Sequence, residues 1–209
     1  ASDTAKVNLS KFDESIPRVN QMKIMVGCGI YFGFRGVEEH AFLRQSDIML
    51  GRFRSEEAYP NYRFVGIGHL LNDKVQKLST DEAYVRDTKN IMRVPVLDIN
   101  DPNDFAGCIL RYLEKLEPDQ DRMYCYPNKK AKPGCQFPYH KRKVVGKGPV
   151  NTMFKDAADI MGLDRANFKG GHAFRRYFVT GMANDPTVPL AESMRAARHT
   201  SVSAHLSYT

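Results

Sequence analysis

Along this chain apolar residues recur at helical spacing more often than in strict alternation, and the difference predicts most of its elements. Over residues 21–46, Ile24, Met25, Cys28, Tyr31 and Phe32 share one helical face, and a glycine-containing break at 33–36 divides the stretch into two helices. Residues 63–71 (RFVGIGHLL) and 91–97 (IMRVPVL) are short apolar runs of strand character, joined by a long polar connection at 72–90. Asp101-Pro102 reads as a helix N-cap and a first-turn proline, opening a helix with Phe105, Ile109, Leu113 and Leu116 on one face. Residues 118–148 form a connection rich in Pro, Lys and Tyr. Pro149 opens a helix to Met161, another covers 172–183, a third starts at 186–189 and ends near His199, and a short one leads to Tyr208. Residues 1–20, polar and closed by Pro17, read as a linker or leader. The sum is a mainly α fold with a small antiparallel β-sheet, of α+β class, over residues 21–209. No βαβ rhythm is present, which excludes a doubly wound nucleotide-binding fold.

Composition narrows the class. At 209 residues, 42% hydrophobic and 26% charged, the chain suits one large globular domain, or one domain with a small appendage, and excludes a disordered tail, a coiled-coil rod and a collagen-like fibre. The longest apolar run, 24–32, is less than half of the roughly 20 residues that span a bilayer, so no membrane segment is expected. The N-terminus has no apolar h-region and no initiator Met, which reads as a piece cut from a longer protein. Cys28, Cys108, Cys125 and Cys135 show no CxxC pairing, favouring a reducing, intracellular compartment over a disulfide framework.

Charge changes the picture further. Residues 1–121 hold 16 Lys/Arg against 19 Asp/Glu, whereas 122–209 hold 15 against five. Between Arg122 and Lys155 there are nine basic residues and no acidic one. Such asymmetry is the footprint of a polyanionic partner, and nucleic acid is the favoured one. Lys141, Arg142, Lys143, Lys147, Lys169 and Arg176 are the candidate phosphate contacts, which position rather than specify.

Four sequence elements suggest joint chemistry: Arg35 in FGFRGVEEH, His172-Ala-Phe-Arg175, His199 in ARHTSVS, and Tyr208 nine residues later. Two arginines grip a phosphodiester bidentately and stabilise the extra charge of a pentavalent transition state. A histidine moves protons near neutrality. A tyrosine hydroxyl, with a pKa of about 10, needs neighbouring cations and a base to attack. The scheme requires no metal, nucleotide or other cofactor.

In order and spacing this set resembles the catalytic domain of the tyrosine recombinases, or tyrosine site-specific integrases, over residues 20–209. FGFRGVEE matches the family's G-x-R-x-x-E; Arg175 to His199 spans 24 residues and His199 to Tyr208 nine, as in the family's pattern. The resemblance implies DNA strand cleavage and rejoining, with Tyr208 as nucleophile and Arg35, Arg175, His172 and His199 around the phosphate. It implies Glu38 as support for Arg35, and a catalytic lysine in a strand turn, with Lys74 first, then Lys77 and Lys89. It further implies double-stranded DNA as partner and a tetramer on two DNA sites, with the isolated domain monomeric. The basic connection and the RGVEEH context are closer to the eukaryotic, Crypton-like transposon type, which would place the protein in a nucleus. Arg198 stands where the family has Gly before the His.

Rival readings accompany these. A type IB topoisomerase-like enzyme uses nearly the same residues to relax DNA, and a domesticated relative would bind DNA without cutting it. Singly, Arg35 could cap a helix or bridge to Glu39, and Tyr208 could be a surface aromatic. His205 and Ser207 read as structural. Cys125, Cys135 and His140 have C-x9-C-x4-H spacing, whereas zinc sites favour tight C-x2–4-C pairs and four ligands, so no metal is assigned.

Overall fold

A computed structural model describes residues 8–68, 89–164, 168, 170–197 and 202–206. Its centre is helix α1 (Pro17–Tyr31), where every residue from Asn20 to Ile30 is buried. A helix buried all round cannot be a surface element. Helices α3 (Phe105–Leu113), α4 (Lys147–Met161) and α5 (Gly171–Asn184) pack against it, and α2 (Val37–Ala41) packs on α4. Helices α6 (Leu190–Ala197) and α7 (Val202–Leu206) follow, α6 lying on α5.

Strands β1 (Met49–Arg52), β2 (Arg63–Ile67) and β3 (Met92–Pro95) form an antiparallel sheet in that order, with Leu50 opposite Val65 and Val65 opposite Val94. Its inner face carries buried Val65 and Ile67 and leans on α3, while Met92 reaches the small cluster of Phe178 and Val179. A separate hairpin, β4 (Cys125–Pro127) and β5 (Tyr139–Val144), lies within the stretch that reads as an irregular connection. Lysines and an arginine occupy β5, which hides its strand character from hydrophobic patterning. β1 carries no such pattern either, because only Gly51 in it is even half-buried.

The mainly helical architecture with small antiparallel sheets agrees with the sequence reading. Two element boundaries differ. The helix expected to open at Asp101-Pro102 begins at Phe105, with Asp104 as N-cap. Asp104 does more than a cap at 101 would do: one oxygen accepts from Gly107 N, and the other accepts from Leu97 and Asp98 N at 2.6 Å each. Residues 8–20, expected to end a polar leader, belong to the domain. Leu9 and Phe12 are buried, and α1 starts at Pro17.

A buried charge cluster ties this N-terminal segment down. Lys23 is fully buried in α1 and reaches Glu14 at 2.7 Å. Arg111 of α3 grips the same carboxylate from Nε at 3.0 Å and Nη2 at 2.7 Å. Burial alone would raise the Glu14 pKa, but the hydrogen bonds from Arg111 and Lys23 outweigh it and hold the carboxyl at about 2. Because the folded value lies below the ordinary 4.5, this stabilisation is complete above about pH 4.5 and is lost as pH falls toward 2. Glu14→Gln is expected to cost about 2–3 kcal/mol at pH 7 and to flatten the acid limb of stability against pH, measured by urea unfolding. A deficit that stays the same down to pH 2 would contradict this account.

Candidate active site and basic face

The site is built where α1 crosses α5, and glycines set the separation. A Cβ at residue 29 would stand 2.6 Å from the Phe174 Cβ. A Cβ at residue 171 would stand 2.7 Å from the Gly36 Cα and 3.0 Å from the Phe154 ring. Glycine at 29 and at 171 permits this approach, while Gly36 is held to glycine by its positive φ rather than by space. Gly33 and Gly36 have φ of +61° and +114°, so the chain reverses sharply after α1 and carries Arg35 on the turn. The Arg35 amide donates to Glu39 Oε2 at 2.6 Å, fixing the turn to α2. Glu38, expected to support Arg35, instead lies 3.6 Å from Lys147 at the start of α4. The carboxylate holding the arginine's segment is thus its neighbour, which the sequence offered only as a bridging alternative.

Arg175 is the centre of the arrangement. Its side chain is buried, with Nη1 donating to Gly33 O at 2.5 Å and Nη2 donating to Ala197 O. One guanidinium therefore joins the Arg35 turn, helix α5 and the end of α6, two residues before His199. His172 is exposed one turn earlier on α5, and Arg176 is exposed beside it. Helix α7 is pinned to α6 by a hydrogen bond between the buried Ser193 Oγ and His205 Nε2, 2.9 Å apart. The His205–Ser193 pair had no sequence signal beyond a histidine in a weakly apolar helix. Lys74, Lys77, Lys169, His199 and Tyr208 lie outside the described residues, as does Arg198. Lys89, the third lysine alternative, is exposed just before β3.

The lysine-rich hairpin is heterogeneous. Arg142 and Lys143 are exposed on β5, but Lys141 is paired with Asp119 and lies 3.8 Å from Glu117. The Lys141 hydrogen bond lowers the Asp119 pKa. Lys147 sits 5.4 Å over the Phe42 ring as well as near Glu38, so it links the hairpin's exit to the Arg35 turn. Cys125 is buried, and burial pushes its thiol up to about 11; Cys135 is exposed. The two thus do not share an environment, and among the described residues no His/Cys/Asp/Glu group is placed to hold a metal ion.

No protein-family model matches this chain, and no curated protein matches it. Solved structures do. The XerH site-specific recombinase, in a pre-cleavage complex with its difH substrate, is similar at a TM-score of 0.56 and 16% identity, over 98% of this chain and 49% of that one. The XerA recombinase is similar at 0.55 and 15%, over 100% and 60%. The Tn1549 transposon integrase, bound to circular intermediate DNA, is similar at 0.56 and 15%, over 100% and 59%. The fold is that of the tyrosine recombinase catalytic domain, and the chain spans about half to three fifths of the length of these proteins.

The α1–α5 crossing predicts the response to an added methyl group. Gly171→Ala should lose about 1–3 kcal/mol, because its methyl meets backbone and a ring rather than a flexible tip. Gly148→Ala, with nothing within 4 Å, should be neutral or slightly stabilising. Thermal melts of the two variants side by side check the contrast, and equal melting temperatures would refute it.

Proposed function

We propose that this chain breaks and rejoins double-stranded DNA as the catalytic domain of a tyrosine recombinase. The observation that carries the reading is the Arg175 guanidinium, which gathers the Arg35 turn, the H-x-x-R helix and the end of α6 at one place. Likeness of fold to two Xer recombinases and a transposon integrase supports it. So do the order and spacing of Arg35, His172, Arg175, His199 and Tyr208.

In the proposed reaction Tyr208 attacks the scissile phosphorus. A new tyrosyl O–P bond forms as the P–O5′ bond breaks, leaving a 3′-phosphotyrosyl link and a free 5′-hydroxyl. Arg35 and Arg175 hold the non-bridging oxygens and stabilise the added charge of the transition state. His172 assists the tyrosine's proton, His199 donates to a non-bridging oxygen, and Lys74 protonates the departing O5′. One phosphoester replaces another, so the return step needs no external energy source, metal or nucleotide. To serve a phosphate, Arg175 would meet it alongside, or in exchange for, its contacts to the Gly33 and Ala197 carbonyls.

The exposed Arg142, Lys143 and Arg176, together with Lys147 and Lys169, are the proposed backbone contacts; Lys141 would first give up Asp119. Strand exchange would assemble four protomers on two sites, from a monomeric free domain. The Crypton-like assignment and a nuclear location rest on the RGVEEH and basic-connection context alone.

Covalent trapping is the direct test. Incubated with nicked or supercoiled DNA at low salt without divalent metal, then quenched in detergent, the wild type should yield a protein–DNA adduct, and Tyr208→Phe should yield none. Arg35→Ala should reduce adduct formation by roughly 100-fold or more, the scale of removing one preorganised donor to a developing oxyanion. An adduct that persists in Tyr208→Phe would refute the assignment. Binding without any adduct would favour the non-cutting relative, and relaxation at a single site without exchange would favour the topoisomerase.

A further inference from the structure

Away from the Arg175 site, the outer face of the three-stranded sheet and the loop at its end carry a second concentration of planar side chains. Residues 49–64 together with Arg93 hold four arginines, no lysine and two glutamates, within a half of the chain that is otherwise acidic. By register, Gly51, Phe64, Gly66 and Arg93 share the face opposite the buried Val65 and Ile67. The inner rings of this face are packed in place: Phe64 lies against Gly51, where a Cβ would stand 2.6 Å from the ring, and Phe53 is buried. Phe53 packs edge-on to Phe64 with centroids 5.2 Å apart, Tyr59 follows at 5.8 Å from Phe53, and Tyr62 at 6.4 Å from Tyr59. The Arg93 guanidinium lies 4.9 Å over Phe53 and 5.4 Å over Phe64.

The loop that presents the outer two rings is fixed. Glu57 accepts from the Arg54 amide and from Arg93 Nη2, each at 2.6 Å, and Arg52 donates to Asn61 O at 3.0 Å. Asn61 has a φ of +64° and turns the chain back so that Phe53 N meets Tyr62 O at 2.9 Å. Yet Tyr59 and Tyr62 remain 43% and 46% exposed, with Arg52, Arg54 and Arg63 exposed around them. Fixed aromatic rings left open to water, ringed by guanidinium groups, match a ligand with planar faces and negative charges. A duplex hides its base faces by stacking, and an acidic peptide offers charge without planar groups. Unpaired bases on a phosphate backbone offer both.

We propose that this face binds a short unpaired stretch of DNA, with Tyr59 and Tyr62 stacking on bases and Arg52, Arg54 and Arg63 meeting phosphates. The proposal is independent of the cleavage chemistry and holds whether or not Tyr208 is a nucleophile. It is separate from the lysine-rich hairpin, whose contacts are chiefly ionic.

Fluorescence anisotropy of the full chain with a labelled dT12 strand tests it, beside a 12-base-pair duplex, U12 and a poly-glutamate 12-mer. Salt of about 0.3 M weakens purely ionic binding and leaves stacking more visible. Tyr59→Ala and Tyr62→Ala should each weaken dT12 binding about tenfold, within the range of one lost base stack, and change duplex binding less than twofold. Tyr59→Phe and Tyr62→Phe should retain dT12 binding, since the ring is kept. Equal losses for duplex and single strand, or no loss at all, would overturn the proposal. So would preference for U12, or for the acidic peptide, over dT12. Unchanged thermal melting of the alanine variants separates lost binding from lost folding.

Discussion

Backbone meeting backbone at Gly36 and Gly171 sets the scale for everything around it. With a side chain at 171 the start of α5 would be pushed off the turn that carries Arg35, and the two motif segments would part. Gly29 beneath Phe174 extends the same close approach into the body of α1. The crossing also accounts for the helix at the centre of the molecule. α1 can be surrounded by α3, α4 and α5 only because its later turns carry glycines where bulky neighbours arrive, and a Cβ at residue 27 would overlap the Phe105 ring.

Two buried cations serve as struts in this framework. Lys23, inside α1, is compensated by Glu14, which Arg111 also holds, so the segment before α1 is joined to α3. Arg175 gives two of its donors to main-chain oxygens, that of Gly33 in the turn after α1 and that of Ala197 at the end of α6. A turn and a helix end both leave carbonyls in need of donors, and a guanidinium satisfies two at once. A side chain that closes the fold in this way cannot be exchanged without consequence. Lysine at 175 would keep the charge and lose the forked geometry.

The helices were legible because their apolar faces are long and their punctuation is strong: Pro149 and the glycines of 33–36 each fall at or near an observed boundary. The two apolar runs that read as strands do pair, as β2 and β3. Strands β1 and β5 were not legible, since exposed Met49 and Leu50 in one and the run His140 to Lys143 in the other carry no burial pattern. Order and spacing singled out the Arg35 turn and the helix carrying His172 and Arg175, which lie together in the structure, but not the contacts between them. Glu38 and Glu39 are chemically identical, and which carboxylate meets the Arg35 amide depends on how the backbone turns into α2, a geometry the residue types do not carry. The Ser193–His205 bond joins two helices across a gap no periodicity encodes.

The distribution of sulfur has a practical consequence. Cys28, Cys108 and Cys125 are buried, and burial raises the thiol pKa of the last two, so little reactive thiolate exists at any of these positions. Cys135 alone is exposed, in the loop of the β4–β5 hairpin next to Lys132 and Gly134. A single maleimide dye or spin label would therefore settle on the loop of the lysine-rich hairpin without any engineered cysteine. The native protein thus carries its own attachment point for a distance ruler.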